Sequence, residues 1–280
     1  MNERPAPFEL DKLIPFMDLL DIQYEKQQGI ARLTFNRPEQ MNAFREQTRK
    51  ELLTVLAAFE SDHDARVLLI TGRGRAFCAG ADLAEMNELL ADAFDEARFR
   101  AILEEFQDIT RRLKHIEKPI VAVLNGLAIG VGVEIALACD LRLAATDAYF
   151  AFTEVKQSLF QTNGVLYTLP RMVGWGRALE WMMTGRKIKG EEAMQAGLIS
   201  ELCAPQDLDT KAWELAEVLS QNAPITLRLL KQVAWRSMEA SLEEVMEMEV
   251  EGMITCLKSQ DLKEGTQAFL EKRPANYRGL

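Results

Sequence analysis

The sequence predicts an α/β fold in which strands and helices alternate, followed by a C-terminal region made of helices. Short apolar runs rich in branched residues recur between residues 21 and 205, and amphipathic segments separate them. Beyond Pro205 the apolar residues repeat at helical spacing, without a strand pattern. We therefore divide the 280 residues into an N-terminal extension over 1–20, a core over 21–205 and a helical region over 206–280.

The overall charge excludes one broad class of function. A formal net charge of -10 argues against a protein that binds nucleic acid, because such a protein needs a basic surface for the phosphates. A few local Arg or Lys residues would still suffice for a small anionic ligand. No apolar run approaches the roughly 20 residues of a membrane span, and the N-terminus has no signal-peptide pattern. We expect a cytoplasmic protein that does not enter a membrane.

The core is predicted to begin with a hairpin and a helix. Residues 21–36 alternate and turn at Gly29, which is typical of two paired strands. Arg37-Pro38 ends the second strand, since proline cannot donate to a sheet. Residues 44–62 carry apolar side chains at helical spacing. The next predicted elements are a buried strand over 67–72, a loop over 72–82, a broken helical region over 84–116, buried strands over 118–126 and 141–146, a buried helix over 130–139 and a short strand over 149–152.

The C-terminal region is predicted to hold several amphipathic helices between residues 207 and 271. Met246, Met248 and Met253 lie on one of them, and we interpret them as a packing surface rather than a ligand site. Apolar helix faces must be buried against another surface. The region is therefore a candidate oligomer interface.

Few residues are available for metal or triad chemistry. The four cysteines are far apart and form no CxxC pair, and the two histidines are His63 and His115. A zinc site is therefore not expected. Neither histidine lies near a Gly-x-Ser-x-Gly turn, so a Ser-His-Asp triad is also poorly supported.

The segment RAFCAGADL, residues 75–83, offers backbone donors for a ligand. Gly80 allows tight backbone geometry, and Ala79 and Ala81 are small enough for a ligand to lie against the main chain. Asp82 is placed to cap a following helix. An ordinary strand-to-helix turn is the alternative interpretation of this segment taken alone.

The segment NGLAIGVGVEIALACD, residues 125–140, has the same character. Gly130 and Gly132 bracket a chain reversal into a helix, and Val131 lies between them. N–H groups in the first turn of a helix have no internal partner and carry positive partial charge. Together with the segment at 75–83, this turn predicts two N–H groups that polarise one carbonyl oxygen, which is an oxyanion hole.

Two glutamates leave apolar segments of the same core. Glu134 lies one turn into the helix that follows Gly130, and Glu154 follows the aromatic run YFAF. Two carboxylates on adjacent elements can flank a water molecule and serve as acid and base. Each glutamate taken alone has a structural alternative, such as a helix cap or a partner for an arginine.

At these residues the chain resembles the crotonase superfamily, the enoyl-CoA hydratase/isomerase family. The resemblance implies a crotonase-like spiral of β-β-α units with a C-terminal helical trimerisation region, assembled as a homotrimer or homohexamer. It also implies that an acyl-CoA thioester binds as substrate and that no separate cofactor is used. The matching segments are LTFNRPEQMNAF (33–44), VLLITGRGRAFCAGADL (67–83), KPIVAVLNGLAIGVGVEIALACDLRLAATDAYFAFTE (118–154), GRALEWMMTGRKIKGEEAMQAGLISEL (176–202) and EGTQAFLEKRPANYRG (264–279).

The resemblance also implies roles for individual residues. The N–H groups of Ala81 and Val131 would hold the thioester oxygen. Glu134 would activate the water, and Glu154 would hold it from the other side and protonate the α-carbon. The residues implied to contact coenzyme A are Arg37, Gln40, Ala79, Ala81, Asp82 and Leu83. Phe269 and Lys272 would reach it from a neighbouring subunit. The implied acyl pocket contains Phe160, Asn163 and Gly164.

Several positions depart from the family pattern. Val131 stands where glycine is common, Ala84 where lysine is common and Thr153 where proline is frequent. The loop SLFQTNGVLYTLP stands where the family usually has a loop rich in proline and glycine. Its residues would reshape the acyl pocket and offer polar contacts there, and they are Phe160, Gln161, Thr162 and Asn163. Since both acids are present, hydration of a trans-2-enoyl-CoA is the leading prediction. The alternatives are another acyl-CoA reaction (double-bond isomerisation, thioester hydrolysis or C–C cleavage) and a non-catalytic binding subunit.

Overall fold

The computed structural model describes residues 19–91 and 95–280, so nearly all of the predicted N-terminal extension lies outside the described residues. The described chain begins with the predicted hairpin. Strand β1 (Ile22–Gln27) pairs antiparallel with β2 (Ile30–Phe35), and Gly29 takes the turn at φ 79°. A short 3-10 helix (Pro38–Gln40) and helix α1 (Glu46–Ser61) follow. The predicted hairpin and helix are both confirmed.

Three β-β-α turns then follow one another. In each turn the first strand joins a large sheet and the second joins a small one. This alternation is the spiral that the resemblance implies. The three turns are β3 (Val67–Gly72), β4 (Ala76–Cys78), α2 (Leu83–Ala91) and α3 (Glu96–His115); β5 (Ile120–Leu124), β6 (Leu127–Ile129) and α4 (Val131–Ala138); and β7 (Leu141–Ala145), β8 (Tyr149–Ala151), α5 (Val165–Val173) and α6 (Trp175–Thr184).

The core ends with β9 (Ile188–Lys189), α7 (Gly190–Gln195) and β10 (Glu201–Cys203). The large sheet has the order β1-β2-β3-β5-β7-β10 and is parallel from β2 onward; the small sheet has the order β4-β6-β8-β9. Strands β4, β6, β9 and β10 were absent from the sequence prediction. Each is two or three residues long, too short to show an alternating pattern, and each exists through pairing with a distant segment.

An aromatic cluster in the core fixes the position of β4 relative to β2 and the start of α1. Phe35, Phe44 and Phe77 are fully buried, and the ring of Phe35 meets the other two edge-on at 5.0 and 5.6 Å. Such edge-on pairs stabilise beyond their buried area. They join β2, the entry to α1 and β4. The chain on either side of this cluster therefore has a fixed position.

The C-terminal region is helical, as predicted. Helix α8 packs on the large sheet through Leu208, Ala212 and Ala216, which are buried. No residue of α9 or α10 is fully buried. No described helix is long and apolar enough to cross a membrane. The four helices are α8 (Leu208–Gln221), α9 (Pro224–Arg236), α10 (Leu242–Lys258) and α11 (Gln260–Glu271).

Candidate active site

The loop after β4 presents an unpaired N–H group at Ala81. The Phe44 N–H donates to the Gly80 carbonyl at 2.8 Å, and the Asp82 N–H donates to the Phe44 carbonyl at 2.8 Å. These two bonds fix the loop on both sides of Ala81. The Ala81 N–H itself has no acceptor within residues 19–91 and 95–280. It is therefore a fixed donor that can serve a ligand.

The turn into α4 needs glycine at two positions for different reasons. Gly130 has φ 51° and ψ -119°, a conformation that side chains other than glycine rarely adopt. At Gly132 an added Cβ would lie 2.4 Å from the Cys78 carbonyl oxygen, so only a hydrogen fits. Val131 lies between them as the first helical residue, outside the positive-φ region. The backbone there accepts a β-branched residue without strain, and the N–H of Val131 is one of the unpaired donors at the helix start.

The two donor loops lie against each other. An ideal Cβ on Gly80 would be 3.1 Å from the Ile129 carbonyl oxygen and 3.9 Å from the Val131 nitrogen. Ala81 follows Gly80 directly, so its N–H and that of Val131 belong to touching backbone segments. The first turn of α4 adds positive partial charge at this point.

Glu134 lies in that first turn and is almost completely buried, with 2% of its surface exposed. Its Oε2 accepts from Asn163 Nδ2 at 2.5 Å, and its Oε1 accepts from Thr162 Oγ1 at 3.3 Å. Burial raises the pKa of Glu134 to about 7, against the opposing effect of the Asn163 hydrogen bond, and the charge of Glu154 adds to the rise. A carboxyl with such a pKa can exchange a proton near neutral pH.

Glu154 begins a 3-10 helix (Glu154–Gln157) after β8 and points to the start of α4. Its Oε1 lies 3.0 Å from where a Cβ on Gly130 would be, and its Oε2 accepts from Gln161 Nε2 at 2.7 Å. Burial raises the pKa of this carboxyl as well. The structure thus brings both predicted acids to one helix start, and each has a raised pKa.

Two of the residues implied to bind coenzyme A are paired with each other. Asp82 Oδ1 accepts from the Ala84 N–H at 3.0 Å, which confirms the predicted cap on α2. Asp82 Oδ2 accepts from Arg37 Nη1 at 2.9 Å, and the same Arg37 nitrogen donates to the Ala43 carbonyl at 2.5 Å. In this structure both side chains stabilise the loop that carries Ala81.

The remaining predicted residues differ in exposure. Ala79 is half-buried and its N–H donates to the Met41 carbonyl, whereas Gln40 and Leu83 are exposed. Of the predicted acyl-pocket residues, Asn163 is buried against Glu134, Gly164 precedes α5 at φ 77°, and Phe160 is 78% exposed. Phe269 and Lys272, at the end of α11, lie on the surface of the described chain.

Sequence reasoning did not predict that Gln161, Thr162 and Asn163 contact the glutamates. The available signal was a polar run where the resemblance implies proline and glycine. That signal indicated polar contacts in the pocket but not their partners, because the contacts depend on how the loop folds back over α4. Among the described residues, no group of three His, Cys, Asp or Glu side chains is arranged to hold a metal ion.

Comparison with known proteins identifies the family of the chain. The family model described as enoyl-CoA hydratase/isomerase matches residues 25–279. The chain belongs to the enoyl-CoA hydratase/isomerase family. The predicted resemblance to the crotonase superfamily is thereby confirmed.

Individual members of the family match over nearly their whole length. The chain is 34% identical over 258 residues to the short-chain-enoyl-CoA hydratase of Clostridium acetobutylicum, covering 92% of this chain and 97% of that protein. It is 35% identical over 265 residues to the (E)-benzylidenesuccinyl-CoA hydratase of Thauera aromatica, and the match covers 93% of this chain and 100% of that protein. A crystal structure of an enoyl-CoA hydratase from Bacillus anthracis superposes with a TM-score of 0.88 at 32% identity. The superposition covers 93% of this chain and 100% of that one. The predicted fold class is confirmed.

Proposed function

We propose that this family member is an enoyl-CoA hydratase, which adds water across the 2,3 double bond of an enoyl-CoA thioester. The observation that carries the proposal is the pair of carboxylates, the buried Glu134 and the half-buried Glu154, at a helix start that also presents unpaired N–H groups. The full-length similarity to proteins named as hydratases supports it. The acyl group differs widely between those two relatives, so the proposal does not restrict its length or ring character.

The N–H groups of Ala81 and Val131 bind the thioester oxygen. Attack of water at the β-carbon moves negative charge onto that oxygen, and fixed donors stabilise the charge without having to reorganise. Loss of one such donor typically raises the barrier by about 3–4 kcal/mol. The positive end of α4 acts in the same direction.

The two glutamates divide the proton transfers. Ionised Glu134 takes a proton from water as the water oxygen bonds to the β-carbon, and protonated Glu154 gives its proton to the α-carbon. The C=C π bond is consumed, and one water is added in total. The pair then exchanges one proton to restore the starting state. Asn163 and Thr162 donate to Glu134 and favour its ionised form, whereas one side chain, Gln161, donates to Glu154 among the described residues.

The active form is a homotrimer or a homohexamer. Helix α10 carries an exposed apolar stripe at helical spacing, with Met246, Val250 and Met253 each more than half exposed. An apolar stripe of this size is typical of a protein interface. In such an assembly Phe269 and Lys272 of one subunit extend toward the coenzyme A bound to its neighbour, where lysine contributes a positive charge for phosphate.

The test is product identification over a panel of trans-2-enoyl-CoA thioesters of different chain length and ring character. We expect at least one thioester to gain the mass of one water, giving a 3-hydroxyacyl-CoA. Free coenzyme A as product would indicate thioester hydrolysis, and a shifted double bond at unchanged mass would indicate isomerisation. Either result without hydration, or coenzyme A binding without turnover, would contradict the proposal.

A further inference from the structure

Three consecutive residues between β8 and α5 contact both glutamates. Gln161 donates to Glu154, Thr162 and Asn163 donate to Glu134, and the distances are 2.7, 3.3 and 2.5 Å. Asn163 is 7% exposed, so its amide is enclosed with the carboxylate it contacts. One short loop therefore fixes both carboxylate oxygens of Glu134 and one of Glu154.

The chemistry of these contacts has a defined direction. An ionised carboxylate only accepts hydrogen bonds, so the amide nitrogens of Gln161 and Asn163 must face it. A hydrogen bond to the ionised form favours that form, and a hydrogen bond to a charged group is stronger than one between neutral groups. The contact of Asn163 therefore opposes the effect of burial on Glu134.

We propose that Gln161 and Asn163 are positioning residues: they orient the carboxylates of Glu154 and Glu134, and Asn163 favours the ionised form of Glu134, which is the proton acceptor. The proposal rests on the proposed hydratase function. It assigns a role to the polar loop that replaces the proline- and glycine-rich loop of the family, since a glycine offers no side-chain donor.

The oxygens of the same two amides support a role at the reacting water. Gln161 Oε1 and Asn163 Oδ1 are buried and have no hydrogen-bond partner among the described residues. A buried acceptor left unpaired is unfavourable by about 1–3 kcal/mol. Each oxygen shares a planar group with a nitrogen bonded to one glutamate, so it lies near that carboxylate. The reacting water has O–H groups that can donate to these two amide oxygens.

The other ionisable groups near Glu134 are few in the described chain. Glu154 lies across the start of α4, and the Cys78 thiol of β4 is held neutral because burial raises its pKa to about 12. Lys114 of α3 donates to the Leu137 carbonyl at the opposite end of α4. A change in pH dependence on altering Asn163 therefore reports the glutamate pair.

The test compares Asn163→Gly, Gln161→Leu and the control Ser158→Gly in the assembled protein. Asn163 has φ 55° and Ser158 has φ 58°, so glycine suits the backbone at both positions, and Ser158 is an exposed residue of the same loop. For Asn163→Gly we expect kcat to fall by about 10-fold or more, the scale of a lost hydrogen bond to a charged group, with KM within about threefold. The acidic limb of the kcat/KM pH profile should move to higher pH, because the pKa of Glu134 rises when its donor is removed.

Gln161→Leu should lower kcat without moving KM, and Ser158→Gly should match the wild type in kcat, KM and pH profile. A purely structural role for Asn163 would lower the folded fraction but leave the acidic limb in place. Wild-type kcat together with an unmoved limb in Asn163→Gly would overturn the inference while the hydratase function stood.

A second measurement keeps the inference testable if the wild type shows no hydration. Infrared titration of the free protein, with Glu134→Gln used to assign the carboxyl band, gives the midpoint of Glu134 directly. We expect the midpoint to lie at higher pH in Asn163→Gly than in the wild type. An unchanged midpoint would overturn the inference whatever the reaction is.

Discussion

Glu134 illustrates how a buried acid can be unfavourable for folding and useful for catalysis. Burial in the first turn of α4 raises its pKa, which means that the folded chain resists its ionisation. Asn163 and Thr162 offset part of that effect by donating to the carboxylate. The remaining shift brings the group into the range where a general base works at neutral pH.

This balance predicts that Glu134→Gln makes the protein more stable at high pH. The folded-state pKa of about 7 exceeds the ordinary value of 4.5, so the contribution of Glu134 to stability is fully present below about pH 4.5 and is lost as the pH rises toward 7. The loss of folding free energy is about 3 kcal/mol, and a glutamine at this position, which does not ionise, avoids it. We expect the melting temperature of Glu134→Gln to exceed that of the wild type by several degrees at pH 8 and by much less at pH 5.

The matched control is Glu104→Gln, at an exposed position on α3. Its melting temperature should follow the wild type at both pH values. If the difference in melting temperature between Glu134→Gln and the wild type is the same at pH 5 and pH 8, the ionisation of Glu134 does not destabilise the folded protein. That result would contradict the prediction.

At the same scale, the sequence indicated which acids and which N–H groups to consider as site candidates, but not the side chains that contact those acids. Glu134 is conspicuous as one acid in an apolar run, and the glycines around Val131 mark the helix start. Gln161 and Asn163 lie in a loop without periodicity. Their contacts arise from the path of that loop across α4, which no local pattern encodes.

At the scale of the element, the position of α4 depends on its close approach to β4. An added Cβ at Gly132 would meet the Cys78 carbonyl, a backbone atom that cannot turn aside. We expect Gly132→Ala to destabilise the protein by about 3 kcal/mol, as overpacking does, and to lower kcat by about 10-fold or more because Val131 and Glu134 move with the helix. Chemical denaturation and enoyl-CoA turnover measure the two effects.

Gly176, in the first turn of α6, provides the control for a glycine-to-alanine change inside a helix. Among the described residues, no atom outside its chain neighbours and its own helix lies within 4 Å of an added Cβ there. Alanine should therefore change stability by less than about 1 kcal/mol, in the stabilising direction. Equal effects of the two substitutions would mean that the contact with β4 does not set the position of α4.

The elements themselves were predictable to different degrees. The buried strands β3 and β5 and the amphipathic helices carry their own pattern, so the sequence indicated them. The small sheet could not be predicted from local patterns, because β4, β6 and β9 pair with strands that are distant in the chain. The prediction of a continuous loop over 72–82 is therefore wrong, because β4 lies within it. The backbone segment that contains Ala81 follows β4 directly.

At the scale of the whole molecule, the exposed stripe on α10 predicts self-association. Light scattering should give three or six times the chain mass of 31.7 kDa. The double substitution Met246→Glu and Val250→Glu should reduce the mass to that of one chain, because two charges would be buried in the interface. Glu251→Gln, one residue away on a different face of the helix, should leave the assembly unchanged. A wild type with the mass of one chain would contradict the proposed assembly.

The most direct test of the central claim, that two glutamates act together on an enoyl-CoA, is the turnover of Glu134→Gln and Glu154→Gln. The rate is read from the loss of the conjugated enoyl-thioester absorbance with a substrate that the wild type hydrates. We predict that each substitution lowers kcat by about 100-fold or more, with coenzyme A affinity retained, and that the double variant is little worse than either single one because the pair works as a unit. Wild-type turnover in either single variant would contradict the claim.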